Sequence, residues 1–329
     1  MKYEIEIRSI WEFGQRVDKE GHPHQEDSIF PHHQEFNPEI DRVFLLCDGM
    51  GGLDAGEVAS AAVCDAMAQH LQRFSATEPF VCTPEDIKSA LTEAYAALDK
   101  VGKGTKMGTT MTCLVLHSQG AIIAHIGDSR VYHVRPGQDA DSTQILFQTT
   151  DHSLVNDLVK IGEITPEEAR THPRRNILTR AMQPGEDNRC SADIAPAITD
   201  IKVGDFFFLC SDGILEGMDD NTIKYLFSEK TADIDNKTRV IREATKHNKD
   251  NHSALLIHIT AVSDEDCLKE QKNQSKNVDS GPSPESISQA PQISGESTKF
   301  SSDKVSESPQ SPAVSHEKKG FANWLKDLF

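Results

Sequence analysis

Short apolar runs, each opened or closed by a lone carboxylate, constrain this 329-residue chain more than any other feature. Residues 43–47 (VFLLC) run into Asp48-Gly49-Met50-Gly51-Gly52, and residues 206–211 (FFFLCS) run into Asp212-Gly213. Residues 121–127 run into Asp128, and Asp250-Asn251 stands just before the run 254–257. A fifth carboxylate, Asp27, lies within His24-Gln25-Glu26-Asp27-Ser28. Short runs rich in β-branched and aromatic residues read as buried strands. A carboxylate at the mouth of a buried strand is costly unless something offsets its charge. Several of them converging imply a hard cation, because oxygen-rich sites select magnesium, manganese or calcium over zinc. The pattern therefore predicts a sheet-based fold whose strand ends surround a cation site, and it points to metal-dependent chemistry.

The formal net charge of -18 argues against nucleic acid and anionic membrane as general partners, since both need basic surface. A hydrophobic content of 37% is low for a chain folded throughout, so part of it is expected to be unfolded. The seven cysteines (47, 64, 82, 113, 190, 210 and 267) form no Cys-x-x-Cys pair, and several lie inside apolar runs. Their odd count, with no signal peptide ahead of them, predicts free thiols and a cytoplasmic location. No apolar stretch approaches the roughly 20 residues needed to span a bilayer.

Residues 1–262 read as one folded domain. Tyr3, Ile5 and Ile7 alternate, which predicts a half-buried strand at the start. Residues 56–71 are Ala-rich at helical spacing. The next helix has Thr83 as cap, Pro84 in its first turn and Glu85 and Asp86 at its positive end. Strands follow at 109–116, 121–126, 131–134 and 144–148, then a helix at 151–161 and another opened by Thr165-Pro166-Glu167-Glu168. A strand at 206–209, mostly helix over 219–246 and a closing strand at 254–260 complete the domain. Consecutive short strands with helices gathered between them exclude a doubly wound parallel sheet and predict α+β with antiparallel sheets.

Residues 263–316 are rich in Ser, Pro, Gln and Glu and cannot bury enough apolar surface to offset their ordering entropy, so they read as a disordered linker. Residues 317–329 differ. Phe321, Trp324, Leu325, Leu328 and Phe329 fall on one helical stripe. The stripe reads as a tethered docking segment, with a partner groove, the domain itself and a membrane surface all open as its target.

The order Glu26-Asp27-Ser28, Asp48-Gly49-Met50-Gly51-Gly52, Gly108-Thr109-Thr110, Gly127-Asp128-Ser129-Arg130, Asp151-His152-Ser153, Ser211-Asp212-Gly213 and Asp250-Asn251 resembles the PPM family, the metal-dependent (type 2C) protein serine/threonine phosphatases. The resemblance covers residues 8–260 and implies a four-layer α-β-β-α sandwich with a two-metal centre, manganese or magnesium, at one end. It implies that Asp27, Asp48, Asp212 and Asp250 are carboxylate ligands and catalytic residues. The Gly49 carbonyl would add an oxygen, Glu26 would act through bound water, and Asp128 with Asp212 would hold a weaker third ion. A hydroxide shared by the two ions would attack phosphorus in line, so Ser28, Ser129 and Ser211 are not expected to be nucleophiles. Phosphorylated proteins, including a Ser/Thr kinase or its substrates, are the implied partners.

Two departures from the family pattern matter. Leu53 stands where many relatives carry a histidine that could protonate the leaving serine, which leaves a metal-bound water, His22, His24 and His152 as alternatives. His22 stands where an arginine often binds the substrate phosphate, and Arg16 is the candidate to replace it. Residues 151–190 match the family's flap, where Arg174 and Arg175 offer charge to acidic substrate residues. Two competing readings stay open at this point: a catalytically weak or inactive phosphoprotein-binding module, and a hydrolase for small phosphoesters.

Overall fold

In the computed structural model the strands at residues 43–48, 111–117 and 120–126 alternate their side chains between two cores, and that alternation fixes the layers. The structure describes residues 1–15, 17, 20–50, 55–75 and 79–263. The linker at 263–316, apart from its first residue, and the segment at 317–329 lie outside the described residues, as do Arg16 and Leu53. In chain order the elements are β1 (Lys2–Glu12), β2 (Asp27–Phe30), β3 (Val43–Asp48), α1 (Gly56–Ser75), α2 (Pro84–Val101), β4 (Met111–His117), β5 (Gly120–Ile126), β6 (Arg130–Arg135) and β7 (Gln144–Gln148). There follow α3 (Leu154–Lys160), α4 (Pro166–Thr171), β8 (Asp193–Ile194), β9 (Phe206–Cys210), α5 (Asp212–Leu215), α6 (Asp220–Phe227), α7 (Ile234–Thr245) and β10 (His252–Ser263).

The strands form two five-stranded sheets, ordered β1-β10-β9-β6-β7 and β2-β3-β4-β5-β8. Every neighbouring pair is antiparallel. Phe44 and Leu46 of β3, Leu114 and Leu116 of β4, and Ile123 of β5 face Phe207, Leu209, Leu255 and Ile257 across the space between the sheets. The alternate residues Leu45, Cys47, Cys113 and Val115 pack against Val63, Met67, Leu71, Ala90 and Leu98 of α1 and α2. On the far face of the other sheet, Phe206 and Phe208 of β9 meet the ring of Phe227 at the end of α6. The result is the four-layer α-β-β-α sandwich that the resemblance implies.

The α2 start is capped as its sequence predicts, with the Thr83 hydroxyl accepting from the Asp86 backbone and the Asp86 carboxylate accepting from the Thr83 backbone. Differences from the expected elements are local. The strand expected from residue 109 begins at Met111, because Thr109 and Thr110 leave the ladder to bond with Asp48. The helix expected from residue 151 starts at Leu154, because Ser153 serves as its cap. Strands β2 and β8, two to four residues each, are too short to leave a pattern in the sequence. The six cysteines of the described residues are free, and five are buried. Among the described residues no helix is long and apolar enough to cross a membrane.

A buried ionic knot ties β6 to the residue ahead of β9. Asp205 is fully buried. Its carboxylate accepts from Arg135 at 2.8 Å through both Nε and Nη2, from His133 Nε2 at 2.9 Å and from the Lys202 backbone at 2.9 Å. Burial alone would raise its pKa, but the Arg135 and His133 hydrogen bonds reverse this and hold it at about 2. A carboxyl that loosens its proton on folding adds stability above its unfolded pKa, and that stability is lost as pH falls through the folded value. Asp205→Asn is therefore expected to cost about 2 kcal/mol at neutral pH. The gap from wild type should close between pH of roughly 4 and 2. Denaturant melts across that range check it; a gap that does not vary with pH would contradict it.

Candidate metal centre

Sheet register brings the sequence's carboxylates to one end of the sandwich. Asp27 at the start of β2 pairs directly with Asp48 at the end of β3. Asp212 follows β9 through Ser211, and the Ser211 backbone donates to Ser253 O at 3.0 Å, so Asp250 just before β10 stands beside it. Asp128 lies in the connection from β5 to β6. The four carboxyls of Asp27, Asp212, Asp128 and Asp250 all act on Asp48.

Their mutual field is unfavourable without a cation. Burial, then the charges of Asp27, Asp212, Asp128 and Asp250, push the Asp48 carboxyl well above the usual carboxylate range. Burial and the charges of Asp212 and Asp250 lift Asp27 to about 7, against the Ser211 hydroxyl, which donates to its Oδ2 at 3.1 Å. Burial, with Asp212 and Asp151, lifts Asp128 to about 8, and Arg130 opposes this. Asp27 Oδ1 is buried and accepts no hydrogen bond among the described residues. An all-oxygen donor set whose members repel one another fits hard divalent ions, whose charge would restore the ionised forms.

The residues around these carboxylates set their backbone. The Asn251 side chain bridges two points of the preceding loop, donating from Nδ2 to His24 O at 2.7 Å and accepting at Oδ1 from the Glu26 backbone at 2.9 Å. The Gly49 backbone donates to Glu26 O at 3.0 Å. The Ser60 hydroxyl of α1 donates to the same carbonyl. A Cβ on Gly49 would collide with the backbone of Gly56 and Glu26, and one on Gly14 with the carbonyls of Lys249 and Asp250. Ser28, Ser129 and Ser211 are each engaged in hydrogen bonds, with Ser60, Thr110 and Asp27 respectively.

Beyond Asp128 a second ion pair carries the flap. Arg130 grips Asp151 with two parallel bonds, Nε to Oδ1 at 2.6 Å and Nη2 to Oδ2 at 2.8 Å. His152 is buried and accepts at Nδ1 from the Gly127 backbone at 3.1 Å, while its Nε2 meets Asp193 Oδ2 at 3.1 Å. One ring nitrogen is thus committed to the β5–β6 connection and the other to Asp193 of β8, which removes His152 from the candidates for protonating a leaving group. His22 is exposed and lies 3.7 Å from Glu20. His24 is half-buried beside Glu26 and Glu57. Arg174 and Arg175 are exposed on the flap. Sequence reasoning gave no role to Arg130, Asp151 or Asn251. Their only signal was membership of the motif blocks.

The protein phosphatase 2C family model matches residues 14–247. The serine/threonine protein phosphatase PstP of Mycobacterium tuberculosis is 37% identical over 185 residues, 55% of this chain and 33% of PstP, so the chain matches about a third of that relative's length. A putative protein phosphatase 2C-type of Streptococcus pyogenes is 33% identical over 218 residues, 65% of this chain and 84% of that protein. The crystal structure of the PstP catalytic domain in complex with two manganese ions superposes with a TM-score of 0.59 at 26% identity, covering 78% of this chain and 99% of that one.

Proposed function

The chain belongs to the protein phosphatase 2C family, and on that premise we propose that it hydrolyses phosphoserine and phosphothreonine esters in proteins. The convergence of Asp27, Asp48, Asp128, Asp212 and Asp250 carries this reading. Asp27, Asp48, Asp212 and Asp250 hold two manganese or magnesium ions, with the Gly49 carbonyl as a further oxygen and Glu26 acting through water. Asp128 and Asp212 serve a weaker third. The two manganese ions of the related PstP domain support the assignment. Ions held there would supply an acidified water near neutral pH and offset the charge of the phosphate. Asn251 keeps Glu26 and Asp27 in register with Asp250, and the Arg130–Asp151 pair fixes the base of the flap beside Asp128. Arg16 is the residue this reading assigns to the substrate phosphate. Phosphorylated proteins, a Ser/Thr kinase or its substrates among them, are the partners this chemistry serves.

Phosphate release from a phosphothreonine peptide tests the reading, measured with manganese, with magnesium and with chelator. Chelation should lower the rate by at least about a hundredfold, the scale of the several kcal/mol that such ions supply. Peptide binding without turnover in saturating manganese would move the protein to a phosphoprotein-binding role. A strong preference for a sugar phosphate over the peptide would make it a small-ester hydrolase.

A further inference from the structure

Next to the carboxylate centre, a histidine and two glutamates meet. His24 Nε2 lies 3.2 Å from Glu57 Oε2 and 3.9 Å from Glu26 Oε1. The three ligand atoms fall within 4.8 Å of one another. Two come from the loop ahead of β2 and one from the first turn of α1. Their placement is fixed independently of any ion. Asn251 clamps the backbone of both His24 and Glu26. Gly56 leaves room where a Cβ would crowd Glu26 Oε1. Glu26 is 8% exposed, while Glu57 and His24 face solvent enough for water to complete a coordination shell.

A second convergence, of His125, His152 and Asp193, lacks this geometry. Its two rings stack face to face with centroids 4.5 Å apart and planes 13° from parallel. Nitrogen lone pairs lie in the ring planes, so stacked rings aim theirs side by side instead of at one point. His152 Nδ1 accepts from the Gly127 backbone, so the neutral ring carries its proton on Nε2 and has no free lone pair for an ion.

We propose that His24 Nε2, Glu26 Oε1 and Glu57 Oε2 form a binding site for a divalent transition-metal ion of the zinc class, beside the carboxylate centre and sharing Glu26 with it. One imidazole nitrogen with two carboxylate oxygens is a zinc-type donor set, whereas the neighbouring all-oxygen set suits manganese or magnesium. Tetrahedral ligands with bonds near 2.1 Å stand roughly 3.4 Å apart, and the observed 3.2 and 3.9 Å bracket that spacing. Glu26 belongs to both neighbourhoods, so an ion here draws on a carboxylate that the phosphatase reading assigns to the water around the catalytic ions.

The test reads zinc and not turnover, so its result is independent of the phosphatase reading. The full chain carrying Asp212→Asn, which weakens the carboxylate centre, is titrated with zinc against a chromophoric chelator and then measured by zinc-edge X-ray absorption. The carboxylate centre contains no histidine, so imidazole scattering from bound zinc reports the proposed site. The expected result is one zinc ion with an imidazole ligand. Adding His24→Gln should remove the imidazole signal, and adding Glu57→Gln should keep it; each should weaken binding about tenfold or more. Two variants at different elements guard against one failing to fold, which thermal melting would reveal. No zinc uptake, oxygen-only scattering, or an imidazole signal that survives His24→Gln would each overturn the proposal.

Discussion

Asp212→Asn is expected to lower phosphate release from a phosphothreonine peptide by roughly 10³-fold, while leaving the fold intact. Asparagine keeps the shape of the side chain at the end of β9 but removes a charge and a carboxylate oxygen. If the two ions supply several kcal/mol of transition-state stabilisation, losing one of the carboxylates that would hold them costs about 4 kcal/mol, or three orders of magnitude. The same substitution should act on stability in the opposite direction. Asp212 raises the pKa of Asp27, Asp48 and Asp128, so in the absence of ions its charge opposes folding. In chelator the variant should therefore melt above wild type by ~2–4 °C, the shift that about 1 kcal/mol produces in a domain of this size. With manganese present the order should reverse, because wild type binds the ions more tightly and gains from that binding. Turnover within tenfold of wild type, with unchanged manganese affinity, would show that Asp212 is not a ligand.

The layers were legible in the sequence because burial on both faces leaves a strong signature. Phe206–Cys210 and Met111–His117 are apolar nearly throughout, and each face has its own core to fill. The carboxylates were legible for a related reason: a charge at the end of such a run stands out. The parts that hold them were not. Asn251 bonds to Glu26 across 225 residues of sequence and Arg130 to Asp151 across 21, and neither pair leaves a local pattern. Asn251 and Asp151 are ordinary loop residues until their partners are known. The His cluster at 22–24 shows the same limit. Sequence could not separate His22, which points to solvent near Glu20, from His24, which meets Glu26 and Glu57. Nor could it find α5, because Asp212-Gly213 has the composition of a turn, and it begins a helical turn instead.

Neither Gly49 nor Gly213 adopts a positive φ, so backbone conformation does not demand glycine at either position. Both are required by crowding. At Gly213 a Cβ would overlap the Asn251 carbonyl oxygen and press on Cβ of Asp250 at 3.3 Å. Backbone atoms cannot rotate away as a side chain tip can, so Gly213→Ala must displace the start of β10. Overpacking of this kind costs about 1–3 kcal/mol of stability. The functional loss should be larger than that figure suggests, because the displaced residues serve the centre twice. Asp250 is one of the proposed ligands, and Asn251 carries Glu26 and His24 with it. A shift of about 1 Å in such a support costs on the order of 10²-fold in rate. Gly213→Ala is thus expected to lose about two orders of magnitude in kcat and to need more manganese for half-maximal rate, yet remain folded at 25 °C. Gly217→Ala, a few residues on, is the control, since nothing lies within 4 Å of a Cβ there. Equal activity in the two variants would mean that α5 tolerates a side chain at Gly213 and that the approach of β10 does not position Asp250.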